Sequence, residues 1–163
     1  MSLLATLVVL AFSLVGLSGC QDLGEGDLPR IKTEIESSAN QASLALEEFP
    51  KSLSSSTILK HYAADYSGVK DGISLTIKDQ EKLLNELAEQ IKLGDSIGIS
   101  HSIKELTIQP LTKSLAWITY QDETKLGRGG ALLSDMKARC TALVRKEGET
   151  WLIFHEHCSS INN

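Results

Sequence analysis

The chain has 163 residues, and its 16 Lys and Arg against 21 Asp and Glu give a formal net charge of −5. That balance disfavours nucleic acid as a partner, because such binding rests on neutralising phosphates, and it offers no polybasic patch for an anionic membrane surface. The length suits one domain around one core.

The first element reads as an export signal. Leu3–Leu17 carries no charge and is closed by Leu17-Ser18-Gly19-Cys20, small residues ahead of a cysteine. This is the pattern of a lipoprotein signal peptide over residues 1–19, with lipidation expected at Cys20. A membrane-spanning anchor is the alternative, but such a run rises only about 22 Å as a helix against a hydrocarbon core of roughly 30 Å. No Lys or Arg precedes the run, a departure from usual signals that puts the assigned start in question. The expected location is the bacterial cell envelope, lipid-anchored, with the domain in the periplasm or outside the cell. Gln21, in place of the aspartate associated with inner-membrane retention, favours the outer membrane. Membrane attachment then comes from the lipid alone. With Cys20 consumed, Cys140 and Cys158 remain as an even pair in a compartment that permits a disulfide; two buried free thiols are the alternative.

A Gly- and Asp-rich tether is expected over residues 20–30 and a folded domain over residues 31–163. Leu28, Ile31, Ile35, Ala39, Ala42, Leu46 and Phe49 recur at spacings of three and four, which predicts a long amphipathic helix ended by Pro50. Ser54-Ser55-Ser56-Thr57 offers caps for a second helix whose inner face is Ile58, Leu59, Tyr62, Ala63 and Tyr66, ended by Gly68. After a loop at Lys70-Asp71-Gly72, Asp79 opens a third helix carrying Leu83, Leu84, Leu87 and Ile91 and stopped near Gly94. From residue 96 the pattern changes to β. Strands are expected around Ile97–Ile108, Ser114–Glu123, Lys137–Lys146 and Trp151–Ser159, with a parity slip between Ile103 and Leu106 that calls for a bulge. Short connections predict an antiparallel meander, interrupted by a longer Gly-rich loop over Leu126–Asp135. Helices followed by long antiparallel strands make an α+β domain with the helices on one face of a bent sheet.

Three segments resemble the nuclear transport factor 2-like superfamily, and within it the SnoaL-like group. They are Tyr62-Ala63-Ala64-Asp65-Tyr66, similar to that family's aromatic-x-x-acid helix end; Ala116-Trp117-Ile118-Thr119-Tyr120, like its mid-sheet strand; and the closing hairpin from Arg139-Cys140-Thr141 through Trp151 to His155-Glu156-His157-Cys158-Ser159. The resemblance implies a cone: a strongly curved antiparallel sheet with three N-terminal helices on its concave face, enclosing a pocket and often dimerising through the sheet. It does not choose among the isomerases, dehydratases, cyclases and association modules built on that fold.

Alternation places Trp151, Ile153, His155, His157 and Ser159 on one face of the last strand. Burial of Trp151 and Ile153 would then carry both histidines inward, with Arg139 and Thr141 beside them and Tyr62 on the wall, as a ligand-binding set with an anionic or carbonyl taste. The register depends on the turn. A Gly148-Glu149-Thr150 turn sets Cys140 opposite Cys158, His157 opposite Thr141 and His155 opposite Leu143, whereas a Glu147-Gly148 turn sets Cys140 opposite His155. His155, His157 and Asp65 are the catalytic candidates; by resemblance Asp65 matches the carboxylate some family enzymes use as a base, although an exposed pair with His61 is equally natural on a helix. His101, Trp117 and Tyr120 read as packing residues. No cofactor and no metal is expected: two histidines lack a third ligand, and His-Glu-His is not the helical zinc motif.

Two functions follow. The preferred one is a binding module for a small apolar or amphipathic ligand or an envelope protein, as a monomer or a homodimer. The alternative is an isomerase or dehydratase moving protons through pocket His and Asp, which requires Asp65 and the histidines to share one pocket.

Overall fold

The computed structural model describes residues 23–93 and 97–161. The expected signal peptide and Cys20 lie outside them. Helix α1 (Asp27–Ser52) buries Ile31, Ile35 and Phe49. It starts within the segment expected as a tether and runs two residues past Pro50, which forfeits only its own N–H bond in the last turn. Leu53 then adopts a left-handed conformation and its N–H caps the Phe49 carbonyl at 2.8 Å.

The second expected helix is a correction. Only one turn, α2 (Ser56–Leu59), forms, and the chain then enters strand β1 (Tyr62–Lys70). A register break between Tyr62 and Ser67 sets Ala63 and Tyr66 both inward. Their spacing of three therefore mimics a helix although it comes from an irregular strand. Asp71 and Gly72, both with positive φ, form the two-residue turn to β2 (Ile73–Thr76). Helix α3 (Ile77–Leu93) is opened by a reciprocal cap: Asp79 accepts from the Thr76 N–H (2.8 Å) and hydroxyl (2.6 Å).

Four long strands follow: β3 (Ile97–Thr112), β4 (Leu115–Arg128), β5 (Ala131–Glu147) and β6 (Thr150–Ser160). The bulge expected between Ile103 and Leu106 is present, between Lys104 and Thr107, with Glu105 at φ 51°. The long loop expected over Leu126–Asp135 is not: Arg128 pairs with Ala131 and the two left-handed glycines Gly129 and Gly130 make a tight turn. The sheet order is β2-β1-β6-β5-β4-β3, curved and unclosed. All neighbours are antiparallel except β1 and β6, which run parallel. This is the α+β cone-type architecture expected, with six strands where four were legible.

The closing hairpin decides which residues face inward. Its turn is Gly148-Glu149, so Glu147 pairs with Thr150 and Val144 with Ile153; beyond that the register steps by one, Leu143 pairing with His155 and Cys140 with Cys158. Phe154 is the extra residue. Arg145 stacks on its ring at 5.3 Å, covering the bulge from outside. Cys140 and Cys158 are joined by a disulfide on the inner face, their Cα atoms 4.2 Å apart.

Of the residues expected in the core, Ile35 and Trp151 are buried, while Leu46, Leu59, Tyr62 and Leu87 are half-buried. Leu83 is exposed. Helix α1 is fastened to the closing hairpin by Glu34, which accepts from the Trp151 indole N–H (2.9 Å), Lys146 Nζ (2.9 Å) and Arg30 (2.7 Å). The indole bond first, then the two cations, hold its carboxyl at about 2. A carboxyl depressed on folding stabilises above its unfolded value and loses that contribution as pH falls. Glu34→Gln is therefore expected to cost about 1–2 kcal/mol in urea unfolding at pH 7, with the difference from the parent shrinking as pH falls from about 4.5 towards 2.

Candidate functional site

Strand parity, reset by the Phe154 bulge, turns Glu156 inward and both histidines outward. His155 and His157 are exposed on the side of the sheet away from the helices, His155 bonded to the Ser67 hydroxyl at 2.9 Å. Arg139 is exposed and Thr141 half-buried on that same outer face, alongside Trp117. Alternation from Trp151 predicted the reverse, and the inserted residue is the reason. Asp65 is also outside. Arg145 clamps it through both guanidinium ends, at 2.9 and 2.6 Å, and holds its carboxyl below the ordinary range. Of the expected ligand-binding and catalytic residues only Tyr62 lines the interior, with the expected disulfide beside it.

The interior contains a different set. A cavity of about 210 Å³ is bounded by α1, α2, β1, α3 and the sheet, with Tyr62, Tyr66, Tyr120, Asp122, Glu156 and the disulfide on its wall. Glu156 is the hub: Tyr120 donates to one carboxyl oxygen and Tyr66 to the other at 3.3 Å. Gln80 of α3 donates to the Tyr66 hydroxyl at 3.4 Å. Tyr62 packs edge-on to Tyr66, ring centres 4.9 Å apart. Gly68 makes this possible, since a Cβ there would stand on the Tyr66 phenol. Burial pushes the Glu156 carboxyl up, with the Asp122 charge adding to it against the pull of the Tyr120 hydrogen bond. Burial and the nearby Glu156 push Tyr66 to about 12.

Asp122 behaves oppositely. Burial works against its charge, but His101 (Nε2 at 3.0 Å) and the Thr124 hydroxyl (3.0 Å) outweigh it and hold the carboxyl below the ordinary range. His101 is itself positioned by the Ser43 hydroxyl at 2.6 Å and, through its backbone N–H, by Glu47. The interior therefore offers one carboxyl biased towards the neutral acid and one biased towards the anion. Metal binding has little to work with among the described residues. The donor atoms of Cys140, Cys158 and Glu156 lie within 4.8 Å of one another, but the sulfurs are bonded to each other.

The model of the SnoaL-like domain family matches residues 52–163. The chain belongs to the SnoaL-like family. No curated protein matches it. Among solved structures it is similar to a protein proposed to be a scytalone dehydratase from Novosphingobium aromaticivorans, at 13% identity over 84% of this chain and 88% of that one, TM-score 0.65. A nuclear transport factor 2-like protein of unknown function from Pseudomonas putida matches at 16% over 83% and 89%, TM-score 0.60. A ketosteroid isomerase-like protein from Erwinia carotovora matches at 18% over 80% and 96%, TM-score 0.52. At these identities the likeness is one of fold.

Sequence reasoning assigned Tyr120 and His101 to packing and left Glu156 on the outer face. The inward acid becomes legible only once the bulge is known; Gly68 two residues after Tyr66 is the one local hint. Two outcomes follow. Gly68→Ala should cost about 1–3 kcal/mol by overpacking and displace Tyr66, seen as a shifted Tyr66 resonance. A carboxyl raised on folding makes stability fall as pH climbs from its unfolded value through its folded one, so Glu156→Gln should flatten the decline seen in urea titrations as pH rises above 4.5.

Proposed function

We propose that this SnoaL-like domain is a lipid-anchored envelope protein, attached through Cys20, that binds a small uncharged ligand inside the cone. The observation that carries the reading is the Tyr66-Glu156-Tyr120 cluster facing a cavity of about 210 Å³. A carboxyl biased towards its neutral form has a proton to give a ligand carbonyl or hydroxyl, and the two phenols, whose own protons go to Glu156, offer acceptor oxygens, while an anionic ligand would meet Asp122 and any ionised Glu156. The cavity is smaller than the roughly 300 Å³ at which pockets for drug-sized molecules begin, which favours a compact ligand. The outward Trp117, 46% exposed, supports a homodimer through the uncovered sheet face.

A second reading has its own support. Asp122 and Glu156 line one cavity with carboxyls pushed in opposite directions, the requirement for a base and an acid in isomerase- or dehydratase-type proton transfer. Asp65, which that reading originally needed, is not in the cavity; Asp122 with His101 behind it takes the role of base.

Mass spectrometry of protein extracted natively from the source envelope tests the main reading. The expected result is a mature chain starting at lipid-modified Cys20 with a neutral small molecule bound. Glu156→Gln together with Tyr66→Phe should weaken that molecule about tenfold or more, the loss of one or two buried hydrogen bonds. An intact, unmodified Met1 would overturn the anchor, and unchanged affinity in the double variant would overturn the site. Turnover of the bound molecule that disappears in Asp122→Asn would establish the catalytic reading.

A further inference from the structure

His61 has a conspicuous problem. It is 95% buried by its 5% residual exposure, and neither ring nitrogen has a hydrogen-bond partner; among the described residues no other buried side-chain nitrogen or oxygen lacks one. Its main chain is fully engaged, the N–H donating to Ile58 at 3.0 Å and the carbonyl accepting from Ile153 at 3.0 Å, so the α2–β1 junction and the parallel β1–β6 seam fix the ring where it is. An orphaned buried polar group costs about 1–3 kcal/mol, and a fold that holds one in place calls for a partner.

The space beside the ring is a second cavity, between α1 and the sheet, with Tyr120 standing in the walls of both. Its room for the centres of water-sized groups is about 50 Å³, against roughly 10–15 Å³ for one water. The remaining wall is almost wholly aliphatic and aromatic: Ile35, Ile103, Leu106, Val144 and Trp151 are representative. Water needs two to four polar partners in such a place. Here Tyr120 gives its hydroxyl proton to Glu156 and Trp151 its indole proton to Glu34, leaving His61 and the Ser38 hydroxyl of α1, the minimum set for one ordered water in a cavity with room for more.

We propose that this cavity receives the apolar end of a ligand that carries one uncharged hydroxyl, and that His61 is the side chain that recognises the hydroxyl. A neutral imidazole has one donor and one acceptor nitrogen, and a hydroxyl can satisfy either. Burial, and then the charge of Lys60, lower the His61 value and keep the ring neutral. A carboxylate or phosphate would gain no charge partner from it, so the chemistry selects an alcohol or phenol. This rests on the reading of the cone as a ligand site and deepens it: the ligand then has a small apolar body with a hydroxyl at the His61 end, distinct from the group held at Glu156.

Phenol and benzene are the test probes, alike in shape and different in the hydroxyl. Titrated into the protein with imidazole nitrogen shifts followed by NMR, phenol should bind about tenfold tighter than benzene, the worth of one buried hydrogen bond, and should move the His61 signals. In His61→Leu the preference should vanish while benzene binding is kept or improved. Equal binding of the two by the parent protein, no binding of either, or a phenol preference that survives in His61→Leu would each overturn the proposal. The parent's own His61 shift needs no variant, so it decides the matter even if His61→Leu fails to fold. The two readings fail differently: equal binding of phenol and benzene with the His61 signals unmoved faults the His61 inference alone, whereas failure of either probe to bind at all also faults the reading of the cone as a ligand site.

Discussion

A single inserted residue in β6 governs what the interior of this domain contains. In a regular strand the buried Trp151 would carry Ile153, His155 and His157 to the same side. Phe154, unopposed between the Val144–Ile153 and Leu143–His155 pairs, exchanges the two faces below it. Glu156 and Cys158 enter the cone, and two histidines leave it. The stacking of Arg145 on Phe154 and the Arg145–Asp65 clamp both lie on the outer side of this step, tying β5, β1 and the bulge together. The outer ion pair is thus a brace for the feature that builds the inner site.

That bulge also marks the limit of what could be read from the residues. Periodicity found α1, α3, the four long strands and the β3 bulge, because each depends on a local alternation of apolar and polar residues. It failed at Tyr62–Lys70 for a physical reason. An irregular strand that buries Ala63, Tyr66 and Gly68 shows the spacing of a helix, and its strand conformation is decided by parallel pairing with β6, far away in sequence. The family resemblance was legible in the closing hairpin, but the inward face of that hairpin was not. A wrong parity moves every candidate to the other side of the sheet at once. Hence His155, His157, Arg139 and Thr141 were all placed in a pocket that none of them lines.

The residues that do line it form two hydrogen-bond systems with Tyr120 at the boundary. On one side, Gln80, Tyr66, Tyr120 and Glu156 form a chain reaching from α3 to the middle of the sheet; it can exist because Gly68 leaves room for a phenol. On the other, Ser43 and Glu47 of α1 orient His101 against Asp122. Both systems link a helix to the sheet, so each helix that closes the cone is also a second layer behind a carboxyl. Such support is what keeps an acid neutral or an anion charged without solvent.

The outcome is a cone whose buried carboxyls find protein partners, while among the described residues one buried ring has none. Glu156 has its phenols, Asp122 its imidazole and hydroxyl, and Glu34 its indole and two cations. Against that background the unpartnered ring of His61 stands apart. Its backbone is tied to the strand that carries Glu156, since the Ile153 N–H, beside the bulge, donates to the His61 carbonyl. The irregular strand therefore borders both a satisfied polar cluster and an unsatisfied one. The satisfied cluster can hold its charge states in the empty protein; the unsatisfied one gains its missing bond only when something enters. A ligand bridging the two would find its recognition energy concentrated at the His61 end, where no protein–protein bond has to be broken first.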